Sequence, residues 1–244
     1  MLPAGLALAN RYEIIDVLSQ SGRSVFYAAR DLESGAMRTV KVLEVYDEKA
    51  YKRFQRELKI VQDLQHPGIC RLLDCGLHDK TFPFIVMEHV RGRDLESYLQ
   101  EVGPQPPSWT IPVVLQLCDA LAYAHGAKLV HRNVKPSIVI LSGNLKNPVV
   151  KLLDFGFAKP FQDNSSDAAQ LTEAGVTVGT LLYLSPEQCR GKSVDARTDV
   201  FAIGCLMYRA FTGKNPFHAS NLPELMDKHA QGAQKSSRAK PLMR

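Results

Sequence analysis

Five side chains in this chain could carry chemistry: Lys41, Glu57, Asn133, Lys135 and Asp154. Glu57 falls in a helically spaced segment, three or four residues from Phe54 and Val61, so it projects beside an apolar face. A carboxylate in that place needs a buried cation. Lys41 alone, on a strand, would be a surface charge; with Glu57 facing inward it reads as that cation. Asp154 is a carboxylate that directly follows an apolar strand. Asn133 has the shape of an aspartate and could orient a hydroxyl, but its amide cannot accept a proton.

The elements that must position these groups follow from the hydrophobic pattern. Residues 12–18, 25–29 and 39–43 read as strands separated by turns containing Gly and Ser. Residues 49–64 switch to helical spacing, with Phe54, Leu58, Val61 and Leu64 on one face. A strand pair is expected at 70–76 and 84–89, and from Leu95 onward the pattern is mainly helical. Thr110 is placed to cap a long helix with Val114, Leu117, Leu121 and Ala124 inward and Pro112 in its first turn. Residues 200–208 are apolar nearly all round, as in a helix at the centre of a domain, and Gly213 would end it. A strand-rich lobe followed by a helical lobe is an α+β arrangement with a cleft between its halves. The expected divisions are residues 1–90, residues 91–230 and a basic tail over 231–244.

Bulk properties narrow the function. The chain has 244 residues, 45% hydrophobic and 23% charged, ordinary for a globular protein. Its net charge of +5 equals that of residues 228–244, which hold Lys228, Lys235, Arg238, Lys240 and Arg244 and no acid. Without interleaved aromatics, such a segment reads as a solvated, disordered end, so neither a nucleic-acid nor a membrane partner is expected. Five cysteines, odd in number and without a C-x-x-C pair, point to reduced thiols. No stretch approaches the ~18 apolar residues of a membrane span. The apolar start of the chain is too short for a signal peptide and lacks a basic leader, so a cytoplasmic location is expected.

Residues 131–141, reading HRNVKPSIVIL, resemble the catalytic loop H-R-D-x-K-P-x-N of serine/threonine protein kinases. The resemblance runs from about Tyr12 to about Ala230. It implies a two-lobed fold with Lys41 as the phosphate-binding lysine and Glu57 as its ion-pair partner. It implies a hinge at residues 85–90, where backbone groups of Glu88 and Val90 meet an adenine edge. Asp94 matches a ribose-contacting acid, and reads equally well as the N-cap of the helix that starts at Leu95. Asp154-Phe155-Gly156 matches the metal-binding D-F-G. Ser185-Pro186-Glu187 matches the A-P-E boundary of the activation segment, and Asp199 the acid that anchors the catalytic loop from below. Lys135 and Thr180 match positions that mark the serine/threonine branch, and residues 183–188 are similar to bacterial members.

The departures from that pattern gather where ATP and magnesium would sit. Asn133 replaces the catalytic Asp, and Ile138 replaces a magnesium-binding Asn. Ser19, Ser21 and Ser24 stand at the three positions of the Gly-rich loop, although glycines there let a backbone approach phosphates. Phe26 and Thr39 stand where smaller residues cover the adenine. Against the resemblance the helical lobe is expected to be shortened after the helix at Leu222, and Glu187, whose counterpart in the family pairs with an Arg beyond that helix, is expected to be unpaired or differently satisfied. The sequence therefore reads first as a pseudokinase acting on a protein partner, with ATP and Mg2+ bound weakly if at all. The alternative is a weakly active ATP-dependent serine/threonine kinase with a protein substrate. A decayed product is the third reading.

Overall fold

The computed structural model describes residues 1–21, 24–43, 55, 58, 61–79, 81–155, 159–160, 181–217 and 222–231. Its first half is one antiparallel six-stranded sheet with strands in the order β1-β2-β3-β4-β6-β5. These are β1 Ala7–Leu8, β2 Tyr12–Ser21, β3 Ser24–Asp31, β4 Met37–Leu43, β5 Leu72–His78 and β6 Phe82–Glu88. The expected strands are all present, and β2, β3 and β4 are longer than their apolar runs because ladder pairing continues into the flanking residues.

Period-two alternation sends the two faces of this sheet to different cores. Val25, Tyr27 and Ala29 on β3, Val40 and Val42 on β4, and Phe84 and Val86 on β6 form a small cluster on one face. Ile85 and Met87 of β6 belong to the large core on the other face, and Phe26 of β3 packs against it. Lys41 and Thr39, between or beside the valines of β4, therefore point to the second face. Leu58, Val61 and Leu64, all within 4% of full burial, enter the same large core, as the helical spacing predicts. Gln55, Leu58, Val61 and Gln62 are helical.

The second half is helical. Its helices are α1 Leu95–Val102, α2 Pro107–Gly126, α3 Pro186–Cys189, α4 Ala196–Thr212 and α5 Leu222–Gln231. Short strands β7 Arg93–Asp94, β9 Val139–Ser142 and β10 Val149–Leu152 form a three-stranded sheet, and β8 Leu129–Val130 pairs with β11 Lys159–Pro160. Behind the hinge the halves are joined by backbone: the Cys70 N–H donates to Leu152 O and the Leu152 N–H to Gly68 O, both at 2.8 Å. Among the described residues, no helix is long and apolar enough to cross a membrane.

Two local expectations are corrected. α2 starts at Pro107, not after Thr110, because a proline in the first turn already has helical φ and no N–H to satisfy. Thr110 is inside the helix, 1% exposed, and Pro112 lies beyond the first turn. α4 spans the expected residues and ends at Gly213 in the left-handed region (φ 71°), yet Val200 is 64% exposed, so the helix is not buried all round.

Candidate active site

Residues 131–135 form an extended loop between β8 and a 3-10 turn, Pro136–Ile138. Two backbone N–H groups of this loop, His131 and Arg132, donate to the two carboxylate oxygens of Asp199 at 2.9 Å each. The His125 Nε2–H, from the last turn of α2, donates to the same carboxylate at 2.7 Å. Asp199 is 1% exposed, so these donors replace its lost hydration. Arg132 adopts a left-handed backbone (φ 65°), which disfavours a side chain by about 1–2 kcal/mol. Its N–H bond to Asp199 and its carbonyl, which accepts from Gln188 Nε2 at 2.8 Å, hold it there.

The ring of His131 is fully buried. Its Nε2–H donates to Leu153 O at 3.0 Å, while Nδ1 accepts from the Asn133 N–H at 3.3 Å. That pattern belongs to the neutral imidazole, and burial lowers the proton affinity accordingly. The same ring meets Phe155 edge-on, with centroids 4.6 Å apart. The loop is thereby tied to the segment carrying Asp154.

Asp154 is the second strained residue, with φ 59°. Its Oδ1 accepts from Lys41 Nζ at 2.6 Å, with the side chains 8% and 4% exposed. Burial alone would raise this carboxyl. The Lys41 charge and hydrogen bond outweigh burial, with the Lys135 charge adding, so Asp154 stays below the usual carboxylate range. Lys41 also lies 5.4 Å from the centre of the Phe26 ring, its cross-strand neighbour, in a cation–π arrangement. The Lys135 ammonium is lowered by burial, against the pull of Asp154 and with the repulsion of Lys41. Two ammonium groups thus share the surroundings of one carboxylate.

A cleft of about 900 Å³ opens between the halves, and Ser19, Thr39, His89, Val90, Asp94 and Lys135 are among the residues that line it. Asp94 is the N-cap of α1: Oδ1 accepts from the Ser97 N–H at 2.8 Å and Oδ2 from the Ser97 hydroxyl at 2.7 Å. It therefore fulfils the capping role and borders the cleft as well. The Glu88 carboxylate accepts from the Arg71 N–H at 2.9 Å and pairs with Lys151. Glu57, Gly156 and Thr180 lie outside the described residues, so the expected Lys41–Glu57 pair does too.

Ile138 is 6% exposed and packs in the large core. Its carbonyl accepts from the Leu153 N–H at 2.8 Å, but its side chain brings no donor atom. Asp154 already spends one oxygen on Lys41. Among the described residues, no group of three or more His, Cys, Asp or Glu side chains could hold a metal ion. Magnesium is ordinarily held by one or two carboxylates together with phosphates and water; among the described residues Asp154 could serve one ion, and Ile138 offers no oxygen to a second.

Ser185 opens α3 with a capping box, its hydroxyl accepting from the Gln188 N–H at 3.4 Å and its own N–H donating to Gln188 Oε1 at 3.0 Å. Glu187 is differently satisfied, as its Oε1 accepts from the Thr198 hydroxyl at 2.6 Å. Sequence reading missed Gln188, His125, Thr198 and His89. His125 and His89 act through partners 74 and 50 positions away and Thr198 through Glu187, and no local pattern marks them; Gln188 does carry a local sign, the capping box with Ser185, but its bond to Arg132 spans 56 positions.

Residues 12–242 match the protein kinase domain family. The chain is 39% identical over 216 residues to the serine/threonine-protein kinase PknB of Mycobacterium leprae, covering 86% of this chain and 34% of that protein. It is 38% identical, with the same coverage, to PknB of Mycobacterium tuberculosis. A third relative, from Corynebacterium efficiens and named as a probable serine/threonine-protein kinase, is 37% identical over 230 residues, 92% of this chain and 34% of its own. The chain spans about a third of the length of these relatives.

Proposed function

The chain belongs to the protein kinase domain family, and on that premise we propose that it is a serine/threonine-kinase-type domain that takes ATP into its cleft and transfers phosphate to protein weakly. The observation that carries this reading is the buried Lys41–Asp154 pair, set beside a loop whose backbone is pinned by Asp199. Kinase chemistry is mainly positioning and electrostatic stabilisation. Lys41 and Lys135 supply positive charge toward the phosphates. The pinned loop presents Asn133 to a protein hydroxyl, which the amide orients without taking its proton. Loss of a general base costs on the order of 10²- to 10⁴-fold in rate, so turnover is slow rather than zero. The relatives named as serine/threonine kinases favour this reading over the silent form that the sequence puts first.

The silent form, a pseudokinase working through a protein partner, remains the second reading because Ile138 offers no ligand atom from its buried position. A phosphotransfer assay separates the two. Wild type, Lys41→Met and the double reversion Asn133→Asp with Ile138→Asn are compared on a generic protein substrate with ATP. Weak wild-type transfer, lost in Lys41→Met and raised at least tenfold by the reversion, is expected. No transfer by wild type, with transfer by the reversion, would overturn the weak-kinase reading in favour of the silent form.

A further inference from the structure

The Thr39 hydroxyl and Nδ1 of His89 lie 3.1 Å apart, though their residues are 50 positions distant in the chain. Thr39 is on β4 above the cleft, and His89 is the first residue after β6, in the hinge. Both line the cleft together with Leu18, Ser19 and Val90. The β4–β6 ladder ends where Arg38 meets Glu88, and Thr39 pairs with Met87, so this bond runs diagonally from inside the ladder to the first residue beyond it. Thr39 is 9% exposed, so its hydroxyl has little water to turn to and depends on the imidazole.

We propose that Thr39 and His89 form a clasp across the upper edge of the cleft that sets how well the slot accepts a nucleobase. This rests on the reading of the cleft as a nucleotide site. A purine sliding under β4 gains most from an apolar roof against its flat face. Here it meets a hydroxyl already committed to the hinge. To seat the ring fully, the clasp must open and strand a nearly buried hydroxyl, or the ring must sit lower in the slot. In either case the base loses affinity, while the triphosphate, held deeper by Lys41 and Lys135, does not. The clasp is thus a specificity element that lowers base affinity without touching the phosphate charges.

The test is calorimetric titration of wild type, Thr39→Ala, Thr39→Val and Lys41→Met with ATP and, separately, with inorganic triphosphate. Valine keeps the bulk of threonine and removes the bond. ATP affinity is expected to rise about five- to tenfold in both Thr39 variants, with triphosphate affinity unchanged. A rise in Thr39→Ala alone would show that bulk, not the clasp, limits the slot, and would overturn the proposal. So would no rise in either variant, or an equal rise for triphosphate. The nucleotide reading is judged separately, by whether wild-type or Thr39-variant binding of ATP is lost when Lys41→Met is introduced.

Discussion

Replacing Lys41 by Met leaves Asp154 buried beside no direct cation, and the consequence can be worked out from the geometry. The pair is 2.6 Å long with both side chains under a tenth exposed. Breaking such a pair from one side commonly costs 3–5 kcal/mol, roughly, because the remaining charge is uncompensated. There is a ceiling on this cost. The carboxyl can take up a proton, and at pH 7 protonating a group of ordinary pKa near 3.9 costs about 4 kcal/mol. Lys135 stays close enough to act on Asp154 and offsets part of the remainder. A loss of about 2–3 kcal/mol is expected, and a fall in Tm of about 5–10 °C for a domain of this size.

The pH dependence identifies the cause. In wild type the Asp154 carboxyl is held below its ordinary range, so its stabilising contribution is present above the unfolded pKa and is lost as pH falls through the lower folded value. In Lys41→Met, burial becomes the dominant influence and lifts the carboxyl above its unfolded value. Its penalty is then greatest at high pH and is relieved as pH falls. Denaturant unfolding of both proteins from pH 8 to pH 5 should therefore show the deficit of Lys41→Met shrinking toward acid. The double variant Lys41→Met with Asp154→Asn should recover more than about 1 kcal/mol of that deficit at pH 8, since no charge is stranded. A deficit that stays constant with pH, or a double variant no better than the single, would refute the reasoning.

Asp199→Asn keeps the shape but turns one acceptor into a donor that faces a backbone N–H or the His125 ring, and it should cost about 3 kcal/mol or more in denaturant unfolding; a loss below about 1 kcal/mol would mean that Asp199 does not hold the loop. Gly92→Ala would place a Cβ 2.4 Å from the backbone oxygen of Leu141, an atom that cannot swing aside. The expected cost is about 1–3 kcal/mol, and an unchanged unfolding midpoint would show that the segment between hinge and β7 shifts without resistance.

The sheet was legible because β3, β4 and β6 are short runs rich in apolar residues bounded by turn residues; which face each side chain takes, Lys41 among them, emerges only from the two cores of the structure. The start of α2 was misread because Thr110 looks like a cap by residue type; only the backbone shows that Pro107 already occupies the first turn. Asp94 was readable as a cap because its partner, Ser97, is three residues away. The clasp between Thr39 and His89 and the bond from His125 to Asp199 span 50 and 74 positions. Neither residue of a pair carries a sign of the other, so only folding reveals them. Val200 reads as core by composition, but composition cannot say which side of a helix lacks a neighbour.

The groups that hold this site and the groups that would do its chemistry are physically separable. Asp199, Gln188 and Ser185 satisfy buried backbone groups, so the fold needs them whether or not phosphate moves. Ile138 follows the same logic from the other side. At 6% exposure an asparagine would bury an amide at a cost of about 1–3 kcal/mol, which only a ligand could offset, whereas isoleucine adds to the large core. Fold stability alone therefore explains the pinned loop and the isoleucine. It does not explain Lys41 and Asp154. A buried ion pair is no stronger a device than two well-packed apolar side chains, and each ion is costly to desolvate. A pair kept charged beside Lys135, which itself lines the cleft, is suited to meeting an anion, which is why the nucleotide-handling reading rests on these two residues and not on the frame around them.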